Sequence, residues 1–201
     1  MGEGLMHGRP ADAVHLCVDM QRLFSGEGPW PTPWMERVRP VVERIVAHRP
    51  ARTLFTRFLP PRVPQERPGL WRAYFERWRN ATLEEMDPAL VDLMPALARF
   101  APPAQVFDKP GYSAFSAPAL LPFLRDKQVR CVIVTGAETD VCVLSTIMGA
   151  VDLGLRVILV EDGVCSSSDQ GHDFLLTLFR NRFSSQVETV AADQLLEQWS
   201  A

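Results

Sequence analysis

Cys142 stands near the start of a predicted helix that follows a predicted strand. The strand covers residues 131–135, a short β-branched and apolar run that is typical of a buried parallel strand. Thr139 and Asp140 are residue types that cap helices, and apolar residues recur at helical spacing from 141 to 153. The first turn of a helix has unpaired N–H groups that favour negative charge. The thiol of Cys142 is therefore expected to ionise readily and to act as a nucleophile.

The same pattern also fits a structural cysteine. Most cysteines in reduced proteins are small, buried and inert, and a strand, a turn and a helix with one cysteine form only a suggestive pattern. Cys165 is the one rival thiol that is predicted to lie near the strand ends. The residues around Cys142 leave both interpretations open.

Two charged residues also follow predicted strands. Asp19 closes the run 14–20, and Lys109 follows the run 104–107. Open α/β sheets bind ligands beyond the carboxyl ends of their strands, so both side chains are placed where a site is expected. Taken separately, an aspartate there is more often a turn cap and a lysine more often a solvated charge.

The elements that must position these residues alternate along the chain. Strands are predicted over 14–20, 52–56, 104–107, 131–135, 156–160 and 186–189, and helices over 34–48, 70–79, 88–99, 118–128, 141–153, 170–180 and 191–199. Alternation of this kind predicts an α/β protein with a three-layer doubly wound fold, in which a mostly parallel six-stranded sheet carries helices on both faces. With no linker or internal repeat, residues 1–201 are expected to form a single domain.

Composition excludes several classes of function. The 201 residues carry a net charge of −3, so no basic surface for nucleic acid is indicated. No apolar run approaches the roughly 20 residues needed to cross a bilayer, and the first residues have neither the apolar core of a secretory signal nor a complete myristoylation pattern. The four cysteines form no CxxC pair, which argues against a zinc site or a disulfide framework. We expect a reduced, cytoplasmic protein that does not bind a membrane.

Three motifs occur in order: HLCVDMQ, FDKPGYSAF and TGAETDVCV. Together they resemble the cysteine-hydrolase branch of the isochorismatase-like superfamily, over nearly the whole chain from about residue 14 to 196. That branch contains nicotinamidases, N-carbamoylsarcosine amidohydrolases, and biuret and ureidoacrylate hydrolases. Each motif is weak alone, but three in order at compatible spacing form a specific pattern.

The resemblance implies a catalytic triad of Asp19, Lys109 and Cys142. Asp19 would take the thiol proton, Lys109 would stabilise the thiolate, and Cys142 would attack a carbonyl carbon of an amide, ureide or carbamoyl group to form a thioester. The oxyanion would be held by the backbone N–H groups of Glu138 and Cys142, with a cis peptide between Ala137 and Glu138. Two alternatives stay open: hydrolysis of a vinyl ether, as in isochorismatases, and a non-catalytic binding or scaffold role.

Several residues are candidates for substrate binding. The resemblance places Phe24 among pocket-lining aromatics and aligns Tyr112 and Phe115 with the residues after the catalytic lysine. Gln21 stands in the same loop entrance as Phe24. Arg57, just after the second predicted strand, could bind a substrate carboxylate or form a surface ion pair, and the second interpretation is favoured.

No metal and no cofactor are expected. Nicotinamidases place an Asp and two His as metal ligands in the loop after the second strand, whereas this chain has no histidine between His48 and His172. His172, on the helix predicted over 170–180, is interpreted as a packed structural residue.

The segment 70–79, LWRAYFERWR, is rich in aromatic residues at helical spacing. Such spacing usually indicates a core-facing helix, although aromatic and Arg residues are also enriched in pockets and subunit interfaces. Combined with the resemblance, the segment favours a homo-oligomer that acts on a small-molecule substrate.

Overall fold

A computed structural model describes residues 5–199, which contain one six-stranded parallel sheet. The strands are β1 (Val14–Val18), β2 (Thr53–Phe58), β3 (Gln105–Lys109), β4 (Cys131–Ala137), β5 (Arg156–Cys165) and β6 (Val187–Val190). They lie in the order β3-β2-β1-β4-β5-β6, and every neighbouring pair is parallel. The predicted α/β class and six-stranded doubly wound sheet are confirmed.

Seven helices occur within the described residues: α1 (Met35–His48), α2 (Gly69–Arg77), α3 (Pro95–Ala98), α4 (Leu120–Asp126), α5 (Leu144–Asp152), α6 (Asp169–Asn181) and α7 (Ala192–Gln198). They cover both faces of the sheet, because the side chains of each strand alternate in direction and both faces therefore carry apolar residues. Val132 and Val134 of β4 pack with α4, α5 and α6, whereas Ile133 packs with Ile45 of α1 and with α7. The buried apolar residues form one cluster on the face covered by α4, α5 and α6 and two clusters on the face covered by α1.

The largest difference from the predicted boundaries lies in β5. The apolar run ends near Val160, but the strand continues through polar residues to Cys165 and pairs Cys165 with Ala137 of β4. A register shift between Val134 and Gly136 accompanies this extension. The side chain of Asp162 does not mark a loop: its Oδ1 accepts a hydrogen bond from the Ala192 N–H at the start of α7, at 2.8 Å.

Other boundaries move by smaller amounts. The loose helix predicted over 88–99 is a 3₁₀ turn at Pro88–Val91 followed by the single turn α3. Lys109 is the last residue of β3 rather than a residue beyond it. Cys142 lies in a π-helical turn, Thr139–Val143, that precedes α5.

The strand order reverses between β1 and β4, which are neighbours in the sheet although they are far apart in sequence. This switch point is where doubly wound sheets open a crevice for a ligand. Gly136 permits the close approach of the two strands there. Its φ is +113°, and a Cβ atom would lie 2.0 Å from the Val18 carbonyl oxygen, so only glycine fits.

No helix within residues 5–199 has both the length and the apolar character required to cross a membrane. Residues 1–4, where the absence of a secretory or myristoylation signal was predicted, lie outside the described residues.

Candidate active site

Asp19 follows β1 directly and has a φ of +50°, a left-handed conformation that is uncommon for residues other than glycine. Its backbone is held by the bond from the Asp19 N–H to the Thr56 carbonyl, at 3.2 Å. The Thr56 hydroxyl donates to Asp19 Oδ1 at 2.7 Å. Asp19 is fully buried. The end of β2 therefore sets the direction of the carboxylate at the end of β1.

Lys109 ends β3 and is also completely buried. Its Nζ lies 2.8 Å from Asp19 Oδ2 and donates to the carbonyl oxygens of Gly111 at 2.8 Å and Tyr112 at 2.7 Å. An ammonium has three N–H groups, and these three acceptors match them. The ion pair with Lys109 is thus the contact that orients Asp19 Oδ2, as the Thr56 hydroxyl orients Oδ1.

The thiol of Cys142 lies against this pair, with 5% of the residue exposed. Burial raises its pKa well above the ordinary thiol value, and the negative charge of Asp19 and a hydrogen bond to it raise it further. The positive charge of Lys109 acts in the opposite direction. The expectation of a readily ionised thiol is therefore wrong for the resting site: desolvation and the carboxylate outweigh the start of the helix, and the thiol keeps its proton.

Glu138 follows β4 at the switch point, and the peptide bond between Ala137 and Glu138 is cis. The carbonyl oxygen of Glu138 accepts hydrogen bonds from the N–H groups of Val141 at 3.1 Å and Val143 at 3.0 Å. These bonds fold the turn that carries Cys142. The side chain of Glu138 accepts hydrogen bonds from residues of two other loops. Its negative charge contributes to the raised pKa of the Cys142 thiol.

Two of the residues considered for substrate binding, Gln21 and Arg57, use their polar groups in contacts within the protein. Both donors of the buried Gln21 amide bond to carbonyl oxygens, those of Phe58 at 3.1 Å and Val91 at 2.7 Å, and its Oε1 accepts from the Phe58 N–H at 2.7 Å. Gln21 thus connects the end of β2 to a neighbouring loop. Arg57 forms a bidentate ion pair with Asp108, at 2.7 and 3.0 Å, and contacts Asp92 at 3.3 Å.

These contacts correct the earlier expectation for Gln21 and decide between the two interpretations of Arg57. The polar groups of both side chains are bound to partners within the protein, and sequence spacing could not show those partners. Arg57 is the surface ion pair, as favoured.

The predicted aromatic residues lie in different surroundings. Phe24 is buried and stacks on Trp30 with ring centroids 6.1 Å apart. Tyr112 is 39% exposed, its carbonyl holds Lys109, and its ring lies 4.8 Å from that of Trp71. Phe115 packs on α5, where a Cβ atom at Gly149 would meet its ring. Tyr112 therefore adjoins Lys109, Phe24 lies in the core beside Trp30, and Phe115 supports the helix that follows Cys142.

The aromatic segment on α2 contributes more than the sequence indicated. Phe75 belongs to the core, but Tyr74 and Trp71 are only partly buried and lie beside Tyr112 or Trp30. Burial raises the pKa of Tyr74, and the nearby Tyr112, Glu138 and Cys142 add to this effect. Helical spacing alone predicted a core helix, and the only signal that could have distinguished these residues was their unusual density of aromatic rings.

The other cysteines are buried, and His172 packs against the turn that carries Cys142. Burial raises the pKa of Cys17, Cys131 and Cys165 to about 12 in each case. His172 bonds through Nδ1 to the Thr139 hydroxyl at 2.9 Å and so braces the turn that holds Cys142. Among the described residues, no group of three or more His, Cys, Asp or Glu side chains is arranged to hold a metal ion.

The family model for the isochorismatase domain matches residues 13–191. The chain belongs to the isochorismatase family. This confirms the predicted family and its hydrolase class. The uncharacterised isochorismatase-family protein YaaI of Bacillus subtilis is 29% identical over 131 residues, 65% of this chain and 68% of YaaI.

Solved structures of the family share the fold. A cysteine hydrolase from Pseudomonas syringae superposes with a TM-score of 0.80 at 21% identity, over 99% of this chain and 98% of that one. The nicotinamidase PncA of Bacillus subtilis superposes with a TM-score of 0.70 at 20% identity, over 88% of this chain and 99% of that one. At these identities the likeness concerns the fold.

Proposed function

We propose that the protein is a cysteine-dependent hydrolase that cleaves a C–N bond of a small amide, ureide or carbamoyl compound through a thioester. Asp19, Lys109 and Cys142 form its catalytic triad. The observation that carries the proposal is the ion pair between Asp19 and Lys109, which is completely buried and lies against the thiol of Cys142. Buried charges are expensive, and a strongly perturbed thiol beside them is typical of a catalytic site.

In the first step, the Cys142 sulfur attacks the substrate carbonyl while Asp19 accepts the thiol proton. Proton transfer neutralises Asp19, the group whose charge opposes ionisation of the thiol, so the thiolate forms only as it is consumed. Lys109 remains charged beside the sulfur. The backbone N–H groups of Glu138 and Cys142 would bind the oxyanion.

In the second step, the tetrahedral intermediate collapses and breaks the C–N bond. The protonated Asp19 donates its proton to the departing nitrogen, which leaves as ammonia or an amine. Water then attacks the thioester while Asp19 again serves as the base, and the acid product leaves with the Cys142 thiol restored. All protons are accounted for by Asp19, Cys142 and water, so the reaction needs neither a metal nor an organic cofactor.

The surroundings of the triad fit a small-molecule substrate. Tyr112 holds Lys109 through its carbonyl oxygen, and Phe24 stacks on Trp30. We propose that both contact the substrate, and we add Tyr74. We also propose that the chain is a single domain that works in the cytoplasm as a homo-oligomer. The nicotinamidases among its structural neighbours support C–N chemistry over vinyl-ether hydrolysis.

The test combines a product assay with trapping of the intermediate. Amides, ureides and carbamoyl amino acids are screened for ammonia release, and the active compound is mixed with enzyme, quenched in acid and examined by intact-protein mass spectrometry. We expect an acyl adduct on Cys142, no turnover in Cys142→Ala and near-normal turnover in Cys165→Ala, the matched buried thiol. Full activity in Cys142→Ala, or cleavage of a vinyl ether with no ammonia released from any compound, would overturn the proposal.

A further inference from the structure

The carboxylate of Glu138 is fixed at the edge of the candidate active site. Its Oε1 accepts hydrogen bonds from the Ser167 N–H at 3.0 Å and from the Thr32 hydroxyl at 3.4 Å. Ser167 follows β5, and Thr32 lies in the loop after β1, so two loops orient one side chain. Its other oxygen, Oε2, makes no hydrogen bond or ion pair that we find within residues 5–199. The carboxylate is therefore held in place with one oxygen available.

An aromatic wall stands on the same side of the sheet. We define it as Trp30, Phe58, Trp71, Tyr74 and Tyr112. Trp30 lies 6.1 Å from both Phe58 and Tyr74 by ring centroids, and Trp71 lies 5.5 Å from Tyr74 and 4.8 Å from Tyr112. The wall reaches the catalytic groups, because the Nζ of Lys109 is 5.3 Å from the centroid of the Phe58 ring.

Thr32 connects Glu138 to the aromatic wall. Its hydroxyl donates to Glu138 Oε1 at 3.4 Å, and its N–H donates at 2.9 Å to the carbonyl oxygen of Phe24, whose ring stacks on Trp30. The charge of Glu138 also acts on two phenols of the wall. Burial is the main cause of the raised pKa of Tyr112, and the charges of Cys142 and Glu138 add to it. The same two groups contribute to the raised pKa of Tyr74. Neither phenol hydroxyl forms a hydrogen bond with the part of the chain that the structure describes. Both hydroxyls are therefore available to a ligand near Glu138 and Cys142.

Two of the positive charges near the aromatic wall are already paired. Lys109 is committed to Asp19 and to two carbonyl oxygens, and Arg57 is committed to Asp108 and Asp92. Arg77 also acts on Tyr74, and its guanidinium lies over the Trp78 ring, 6.0 Å from the centroid. Glu138 supplies a negative charge beside the aromatic wall. A carboxylate beside aromatic faces is the arrangement that binds an ammonium or amidinium group, because the ring faces and the carboxylate both attract positive charge.

We infer that the substrate carries a positively charged nitrogen group, which Glu138 and the aromatic wall bind while Cys142 attacks the amide or ureide carbonyl. This inference rests on the proposed C–N hydrolase function and narrows its substrate class. The competing outcomes are a preference for neutral substrates and a preference for anionic substrates.

The kinetic test uses isosteric pairs of primary amides. 4-Aminobutanamide carries an ammonium where pentanamide carries a methyl group, and succinamate supplies a negative charge instead. We expect kcat/KM for the amino amide to exceed that of pentanamide by about tenfold, the range of a partly desolvated cation–π and carboxylate contact. In Glu138→Gln this ratio should fall to near one, whereas Glu27→Gln, an exposed glutamate in the loop after β1, should keep it. A ratio that is unchanged in Glu138→Gln would overturn the inference.

A second measurement does not depend on turnover. Iodoacetamide alkylates Cys142, and the rate is followed by peptide mass mapping with propylammonium, 1-propanol or propionate present. Propylammonium should protect Cys142 at the lowest concentration, and Glu138→Gln should abolish that advantage. Equal or better protection by 1-propanol or propionate would contradict the inference. A protein that releases no ammonia from any amide but shows selective protection by propylammonium would refute the proposed C–N chemistry and leave the cation site standing.

Discussion

Asp19 Oδ2 and Lys109 Nζ lie 2.8 Å apart, and neither side chain has any exposed surface. The two residues come from the ends of β1 and β3, which are separated in the sheet by β2. Two charges buried in this way stabilise a protein only as a pair, because each without the other is an uncompensated charge in a medium of low polarity.

Removal of Lys109 should therefore destabilise the protein strongly. We expect Lys109→Met to lower the free energy of unfolding by about 3–5 kcal/mol, the cost typical of breaking a buried ion pair from one side. Urea unfolding followed by circular dichroism measures this loss. The double variant Asp19→Asn with Lys109→Met should regain part of it. A single variant that loses less than about 1 kcal/mol, as exposed pairs do, would show that the pair is open to solvent.

Asp19→Asn should make Cys142 more reactive towards small alkylating reagents while it abolishes turnover. The charge of Asp19 and its hydrogen bond both raise the pKa of the thiol, so their removal lowers that pKa and increases the thiolate fraction at pH 8. Iodoacetamide labelling of residue 142, quantified by mass spectrometry, measures the rate. Thr56→Val, which keeps the charge of Asp19 and removes only the two hydrogen bonds that the Thr56 hydroxyl makes with Asp19, to its carboxylate and from its N–H, is the control. Slower labelling in Asp19→Asn than in the parent would contradict this electrostatic account.

His15 should make stability depend on pH in the acid range. Burial lowers the pKa of His15 to about 3, from an ordinary value of 6.5. The neutral ring lies between the hydroxyls of Thr53 and Thr135. Between these values the unfolded chain binds a proton that the folded chain does not, so stability is full above pH 6.5 and is lost as the pH falls towards 3.

The contribution of His15 to the loss of stability at acid pH can be measured by substitution. The free energy of unfolding should fall by up to about 1.4 kcal/mol per pH unit more steeply in the parent than in His15→Gln. Urea titrations at several values from pH 4 to 7 give the two slopes. Parallel slopes would mean that His15 is protonated in the folded protein.

Gly136→Ala should prevent stable folding of the switch point. The new Cβ atom would lie 2.0 Å from the Val18 carbonyl oxygen, and the parallel pairing of Val18 with Gly136 between β1 and β4 holds the backbone of both residues in place. Gly154→Ala is the matched control, since Gly154 also has a positive φ, +73°, but a Cβ there meets nothing within 4 Å. The control should lose about 1–3 kcal/mol by thermal or urea unfolding. Equal stabilities of the two variants would refute the steric argument.

Leu70 should contribute to the proposed subunit contact. It is 88% exposed at the start of α2, the helix whose aromatic residues suggested an interface. An exposed leucine of this kind loses its apolar surface on association, so Leu70→Glu should lower the mass measured by light scattering at micromolar concentration. Phe174→Glu, at another exposed apolar position, 62% exposed on α6, should leave the mass unchanged. A parent protein that is monomeric by light scattering would contradict this proposal.

The sequence was sufficient for the fold class and for the edge of the sheet that carries the candidate triad. Short apolar runs mark strands and helical spacing marks helices, and parallel strands place all their carboxyl ends together. Asp19, Lys109 and Cys142 each follow or end such a run, which is why their proximity could be anticipated. Boundaries were less accurate where polar residues continue a strand, as in β5, because Asp162 binds the start of α7 instead of solvent.

What the sequence could not decide depended on partners that are distant along the chain. The sequence did not show that Phe58 and Val91 bind the Gln21 amide, or which carboxylates, those of Asp92 and Asp108, pair with Arg57. Cys142 looked acidic from the turn that carries it, yet burial and the charge of Asp19, more than 120 residues earlier, raise its pKa. Local pattern determines which elements form, because hydrogen bonds within an element depend on neighbouring residues. Electrostatics and side-chain partners depend on distances through space, which only the assembled sheet sets.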